Sequence, residues 1–210
     1  MSLVAPRVNR EIESEGTSGS HAQLGCARFE SCYELGFILQ YVWLTNDHEA
    51  WAREYRRERS NILRVLEPQI VDIQHIGSTA IPGVPAKPIL DIVIGVRSFE
   101  EATRCVGPML DLGYEYRGEN GIARRHYFVK GIPRTHHVHV LEMDRGARQQ
   151  MLLFRDFLLA QPDLAQEYAH EKVCLADAYN HDRASYQRAK DLVIARLLTW
   201  PHRDAGRFQV

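Results

Sequence analysis

The chain has 210 residues, 45% of them hydrophobic and 25% charged. That is enough for one domain with a sizeable core, or one domain with an extension, and it excludes a disordered or fibrous chain. Its 26 Lys and Arg face 27 Asp and Glu, for a formal charge of −1, so it does not coat nucleic acid by bulk charge and nucleic acid is not an expected partner. No apolar run approaches a membrane-spanning length, so no membrane association is expected. The early acidic residues (Glu11, Glu13, Glu15) do not follow the basic-then-apolar order of a secretory leader, and a cytoplasmic protein is the expectation. Cys26, Cys32, Cys105 and Cys174 follow no metal or redox spacing. They read as free thiols in a reducing compartment.

Residues 1–44 read as a partly flexible N-terminal extension, with a polar, glycine-containing stretch at 16–20 and a candidate edge strand at Phe37–Leu44. The folded domain is expected over 45–200, followed by a short tail at 201–210. Asn46 or Asp47 is placed to cap a helix ending near Leu66, with Trp51, Tyr55, Ile62, Val65 and Leu66 near one face and Pro68 as its stop. Ile70–Ile76 alternates as a half-buried strand does, and the loop 77–88 is rich in Gly and Pro. Ile89–Val96 is almost continuously apolar and reads as a central strand covered on both faces. Ser98 caps a helix running to about Leu112, with Glu101 completing a possible capping box. Strands follow at Tyr114–Arg117, Arg124–Lys130 and His136–Met143. From Ala147 to Trp200 the pattern is helical, with new starts at Pro162 and Asp182. The order predicts an α+β domain: a mixed β-sheet flanked by helices, with a C-terminal helical segment.

The chemistry concentrates in the segment from His75 to Val93, HIGSTAIPGVPAKPILDIV. Gly77 lets the backbone come close to a phosphate, and Ser78, Thr79 and the loop N–H groups can donate to phosphate oxygens. Lys87 adds a positive charge at the same mouth. Asp91 sits inside a very apolar strand, where a carboxylate needs a hydrogen bond, an ion pair or a metal. A tight connection with a structurally satisfied Asp91 is the plain alternative. A phosphate P-loop is excluded by spacing, since five residues separate Gly77 from Gly83 and Val84 stands where a lysine is needed.

Further candidates lie downstream. His137 and His139 share a strand face and could bind a metal, with His75 or His126 as a third ligand; alternation alone also explains them. The stretch 117–139 is basic, with Arg117, Arg124, Arg125, Lys130 and Arg134 against Glu119. It suits either an anionic ligand or a solvated sheet edge. Tyr168 and Lys172 share a helix face, as do Tyr186 and Lys190. The two pairs could close a phosphate cleft or simply pack.

The segment HIGSTAIPGVPAKPILDI closely resembles the signature of the GrpB family of bacterial proteins. So do WAREYRRE at 51–58, RHYFVKG at 125–131, THHVHV at 135–140, and a helical tail marked by Phe154, Arg155, Asp156, Tyr168, Lys172, Asp182, Arg183, Tyr186 and Lys190. The resemblance covers roughly residues 42–200. It implies a nucleotidyltransferase-like fold and, as ligand, a nucleotide or phosphorylated small molecule. It further implies Mg²⁺-dependent nucleotidyl or phosphate-ester chemistry. Asp91 would hold Mg²⁺ with Glu142 in reserve, Gly77 and Ser78 would hold phosphates, and Lys87, Arg125, Lys172 and Lys190 would neutralise charge. The sequence departs from the nucleotidyltransferase pattern in one place. Val93 stands where a second acidic residue is expected, which keeps open a non-catalytic binding module with a degenerate metal site. A hydrolase using a transition metal on His137 and His139 is a third reading.

Overall fold

The computed structural model describes residues 42–199, all within the unit spanning Leu39–Val210. The expected extension up to residue 41, Cys26 and Cys32, and the tail 201–210 lie outside the described residues. Of the candidate edge strand at Phe37–Leu44, Val42 to Leu44 are described and form no strand; Thr45 makes a single antiparallel bridge to Ala86.

Helix α1 (His48–Leu66) begins where Asp47 accepts the Ala50 N–H, as its capping position predicts. Strand β1 (Asp72–Ile76) leads into a 3-10 turn at Ser78–Ala80, and β2 (Leu90–Val96) follows the loop. Ser98 caps α2 (Phe99–Arg104) by accepting the Glu101 N–H. The single helix expected from Ser98 to Leu112 is instead two, because α3 (Val106–Asp111) starts after a break at Cys105. Pro108 has no N–H to give the Arg104 carbonyl, and that missing bond falls at the break. Strands β3 (Glu115–Tyr116), β4 (His126–Lys130) and β5 (His136–Glu142) come next. Three helices complete the described chain: α4 (Gly146–Ala160), α5 (Pro162–Ala178) and α6 (Arg183–Thr199). The last two start at the proline and just after the Asp182 that the sequence singled out.

The five strands form one mixed sheet in the order β1-β2-β5-β4-β3. Only β2 and β5 run parallel; the other neighbours are antiparallel. Register decides which residues meet. Ile76 lies opposite Asp91, Asp91 opposite His137, and Val93 opposite His139. One face of the sheet, through Ile73, Ile92, Ile94, Val138, Val140 and Phe128, packs with α1, α2 and α3 into the main core. The other face carries Asp91, Val93, His137, His139 and Leu141. Helices α4, α5 and α6 close over the Gly-Pro loop through Ile81, Val84, Phe154, Leu158, Tyr168 and Leu197. The central strand is therefore covered on both faces, as its apolar run predicts, apart from the end that bears Asp91. Among the described residues no helix is long and apolar enough to cross a membrane. Cys105 and Cys174 are free thiols.

Candidate functional site

A cleft of about 670 Å³ opens where the start of β2 and β5 meets the Gly-Pro loop and helices α5 and α6. Asp91 lies on its floor because β2 begins there and because the side chain at position 91 points away from the main core. The polypeptide makes room for it. Gly77 has a φ of +70°, and a Cβ there would fall 2.6 Å from Asp91 Oδ2. The Gly-Ser turn and the aspartate are thus built against each other, and only glycine fits both the conformation and the space. The His137 Nδ1–H donates to Asp91 Oδ1 at 3.0 Å. Burial works to raise the Asp91 carboxyl, but the His137 hydrogen bond, helped by Lys190 nearby, outweighs it and holds the group below its ordinary value.

The rest of the cleft is cationic. Lys87, Lys172 and Lys190 all line it, joined by Arg183 and Arg134. Lys172 is 3% exposed, donates to the Pro85 carbonyl, and stands 5.3 Å over the Tyr168 ring. Burial, reinforced by Lys190 and Lys87, pushes it down to about 7 although Asp91 opposes the shift. Lys87 is pushed down to about 8 by burial and then by Arg183 and Lys190. Burial also lowers Lys190, against the pull of Asp91. Lys87, rather than Lys190, covers the Tyr186 ring, at 4.7 Å, and burial pushes the Tyr186 phenol up to about 12. Ser78 Oγ lies 3.4 Å from the Tyr168 hydroxyl. Thr79 lines the cleft, but its hydroxyl turns to His75 Nε2 at 2.9 Å. Amides of the turn remain for a ligand: its N–H to C=O bonds run from Ala80 and Ile81, which leaves the Ser78 and Thr79 N–H groups without a partner inside the turn.

The structure therefore brings together Gly77, Ser78, Thr79, Lys87, Asp91, His137, Lys172, Tyr186 and Lys190, and it separates three other candidates from them. Glu142 lies opposite Val96, five residues further along both strands than the Asp91–His137 pair, or about 16 Å at the rise of a strand. It is bound by both arms of Arg124 (2.9 and 2.8 Å) and by Arg145. Arg125 is 5% exposed and lies behind the cleft wall. Its Nε and NH2 donate to the Glu119 and Asn120 carbonyls, and its NH1 to His139 Nδ1. His139 is neutral for the same reason: burial pushes it down to about 4. His137 and His139 share a face as expected, yet one serves Asp91 and the other Arg125, so they do not converge on a metal. Among the described residues, the His and carboxylate groups close enough to hold an ion together are Glu54, Glu58 and His136 on the other face. There Glu58 is already matched by Lys130, Tyr114 and Asn61. Arg183, Arg134, Asn120 and Tyr127 also line the cleft. The arginines fall within segments already marked by the family resemblance or the basic stretch; Asn120 carried no signal beyond a turn-forming Asn-Gly pair.

A Gly-Ser turn leaving one strand, a carboxylate on its antiparallel neighbour, and lysines from the Gly-Pro loop and two helices share one cleft within an α+β fold. The chain belongs to the GrpB family: the sequence pattern described as GrpB protein matches residues 41–199. It is 43% identical over 154 residues to a UPF0157 protein of Pseudomonas aeruginosa, covering 71% of this chain and 63% of that one. It is 45% identical over 145 residues to the UPF0157 protein YqkA of Bacillus subtilis, covering 69% of this chain and 42% of that one. The match thus spans less than two thirds of either relative. The crystal structure of conserved protein GrpB from Enterococcus faecalis is similar at 31% identity and a TM-score of 0.68, over 74% of this chain and 97% of that one.

Proposed function

We propose that the cleft binds the phosphate groups of a nucleotide or phosphorylated small molecule and supports phosphate-ester or nucleotidyl-transfer chemistry on it. The observation that carries this reading is the set of three lysines, Lys87, Lys172 and Lys190, sequestered around the single carboxylate of Asp91. Cations held together with depressed proton affinity have their charge restored by an anion. Ser78 and the amides of its turn would donate to phosphate oxygens, and Gly77 would let them approach. His137 would keep the Asp91 carboxylate ionised and oriented.

The donor set fits one Mg²⁺ and not two. Mg²⁺ is commonly held by one or two carboxylates together with substrate phosphates, and Asp91 supplies one. Val93 and the distant Glu142 supply no second. Such an ion, when bound, neutralises phosphate charge and aligns phosphate oxygens. A second reading, a binding module without catalysis, is favoured by Val93, which is fully buried between Ile76 and Leu141 and leaves no room for a metal at that position.

Calorimetric titration with ATP, inorganic tripolyphosphate and coenzyme A precursors, with and without Mg²⁺, tests both. Binding lost in Lys172→Met and Lys190→Met supports the phosphate site. Dependence on both Mg²⁺ and Asp91, checked with Asp91→Asn, supports the reaction; independence from both supports the binding module. Absence of binding by any of these probes to wild-type protein refutes the proposal.

A further inference from the structure

Three residues with family resemblance or obvious chemistry, Arg125, His139 and Glu142, lie outside the cleft, and all three converge on one loop. We propose that this loop presents Asn120 to the non-phosphate end of the ligand, where its carboxamide takes the hydrogen-bonding edge of a nucleobase. Arg125, His139 and Glu142 are positioning residues that act through it. This rests on the reading of the cleft as a phosphate site and adds the ligand class and the residue that selects it.

The loop joins β3 to β4 and is held from both sides. On the inner side Arg125 makes three bonds. Nε donates to the Glu119 carbonyl at 3.1 Å, NH2 to the Asn120 carbonyl at 2.6 Å, and NH1 to His139 Nδ1 at 3.1 Å. Its guanidinium also stacks 4.8 Å over the Tyr127 ring. The neutral His139 is the acceptor that fixes the third arm, so the imidazole sets the aim of the clamp. On the outer side the Arg124 N–H donates to Glu119 Oε1 at 2.6 Å, and the Arg124 side chain is gripped by Glu142. Glu142 also accepts from Arg145 at the start of α4.

Between these anchors the backbone is left-handed at Gly118, Asn120, Gly121 and Arg124. Asn120 and Arg124 are the non-glycine residues among the described ones with positive φ, at +44° and +61°. A backbone held this way by several side-chain bonds is over-determined, which a simple connection does not require. What the loop holds out is the exposed Asn120, which lines the cleft with Tyr127. This wall belongs to β4 and its loop and is apart from the lysines of the Gly-Pro loop, α5 and α6. A ligand whose phosphates lie on the lysines has its other end free to reach this wall. A carboxamide offers one donor and one acceptor side by side, the pattern that a base edge complements.

The test compares Kd values for ATP, GTP, CTP, UTP and inorganic tripolyphosphate in wild-type protein and in Asn120→Gly, Asn120→Asp and Arg125→Lys. Glycine and aspartate both tolerate the left-handed backbone. Wild type is expected to bind one base about tenfold more tightly than the others, the discrimination of one good hydrogen-bonding pair. Asn120→Gly should abolish that preference and leave the tripolyphosphate Kd within about twofold, a change too small to be a lost hydrogen bond. Asn120→Asp, which exchanges a donor for an acceptor, should change which base is preferred. Arg125→Lys should flatten the ranking in the same way and leave the tripolyphosphate Kd within about twofold, which a general loss of the fold would not do. If wild type binds tripolyphosphate but ranks the bases equally, or if Asn120→Gly weakens tripolyphosphate as much as nucleotide, this inference is overturned while the phosphate site stands. If wild type binds neither, the phosphate site falls first and this inference with it.

Discussion

Gly77→Ala tests the central feature of the site, the packing of the Gly-Ser turn against Asp91. Two separable costs are expected. The backbone at position 77 has a φ of +70° and a ψ of −175°, a region nearly reserved for glycine, and a residue with a Cβ there costs about 1–3 kcal/mol. The new methyl would also stand 2.6 Å from Asp91 Oδ2, 3.1 Å from its Cβ and 3.2 Å from its Cγ. The carboxylate cannot simply swing aside, because Oδ1 is held by His137 at 3.0 Å. Overpacking of this kind costs about 1–3 kcal/mol more. The sum, about 2–6 kcal/mol, corresponds to a fall in melting temperature of roughly 4–24 °C for a domain of this size. Thermal denaturation of Gly77→Ala in wild-type and Asp91→Ala backgrounds separates the terms. Truncating Asp91 removes the Oδ2 and Cγ contacts and leaves the backbone cost and the 3.1 Å Cβ contact, so the substitution should be milder by about 1–2 kcal/mol there. An equal loss in both backgrounds would refute the proposed packing of the turn on the carboxylate.

Four other outcomes follow from the cleft and the sheet. The affinity of the cleft for tripolyphosphate should fall from pH 6 to pH 9 as Lys172, at about 7, and Lys87, at about 8, lose their protons, and calorimetry in buffers of matched ionic strength would read it. Apo stability has the opposite sign. A lysine with a depressed pKa binds fewer protons folded than unfolded, so its contribution makes the fold more stable as pH rises from about 7 toward the ordinary 10.5. Lys172→Met should flatten that rise in denaturant melts. Val93→Asp, which restores the expected acidic pattern, should not create a metal site. It places a carboxylate in a dry cluster with Ile76 and Leu141 and should cost about 3 kcal/mol or more, with no gain in Mg²⁺ binding by calorimetry. At the opposite face, burial alone would raise Glu58, but hydrogen bonds from Lys130, Asn61 and Tyr114 hold it at about 2. Its contribution to stability is therefore full above about 4.5 and lost as pH falls toward 2. Glu58→Gln should remove that part of the acid transition seen by circular dichroism.

Local signals were legible in the sequence wherever one residue decides the outcome. Asp47 caps a helix, Pro162 starts one, and the almost continuously apolar run at 89–96 becomes the strand covered on both faces beyond Asp91. The split between α2 and α3 had its cause printed at Pro108, but apolar periodicity ran through it and hid the missing N–H. Most of the cleft was legible too, since Gly77, Ser78, Lys87 and Asp91 lie in one short segment whose chemistry is recognisable together. The lysines of α5 and α6 were placed there by family resemblance, because nothing in a helical period says which loop a helix covers.

Glu142 shows where such reading stops. Strand alternation reports the face a side chain takes, and it put Glu142 on the face away from His137 and His139. It does not report how far along the neighbouring strand that side chain lies. Register does, and register in a parallel β2–β5 pair is fixed by the long connection between them and by core packing, neither of which is a local property. A carboxylate on the expected strand therefore ended beside Arg124 and Arg145 instead of beside Asp91. The antiparallel register of β5 with its other neighbour, β4, places His139 against Tyr127 and within reach of Arg125, so the displacement of one expected ligand and the assembly of the Asn120 clamp both follow from how β5 is paired on its two sides. The residues most easily mistaken for metal ligands are the ones that the sheet uses to shape the cleft wall.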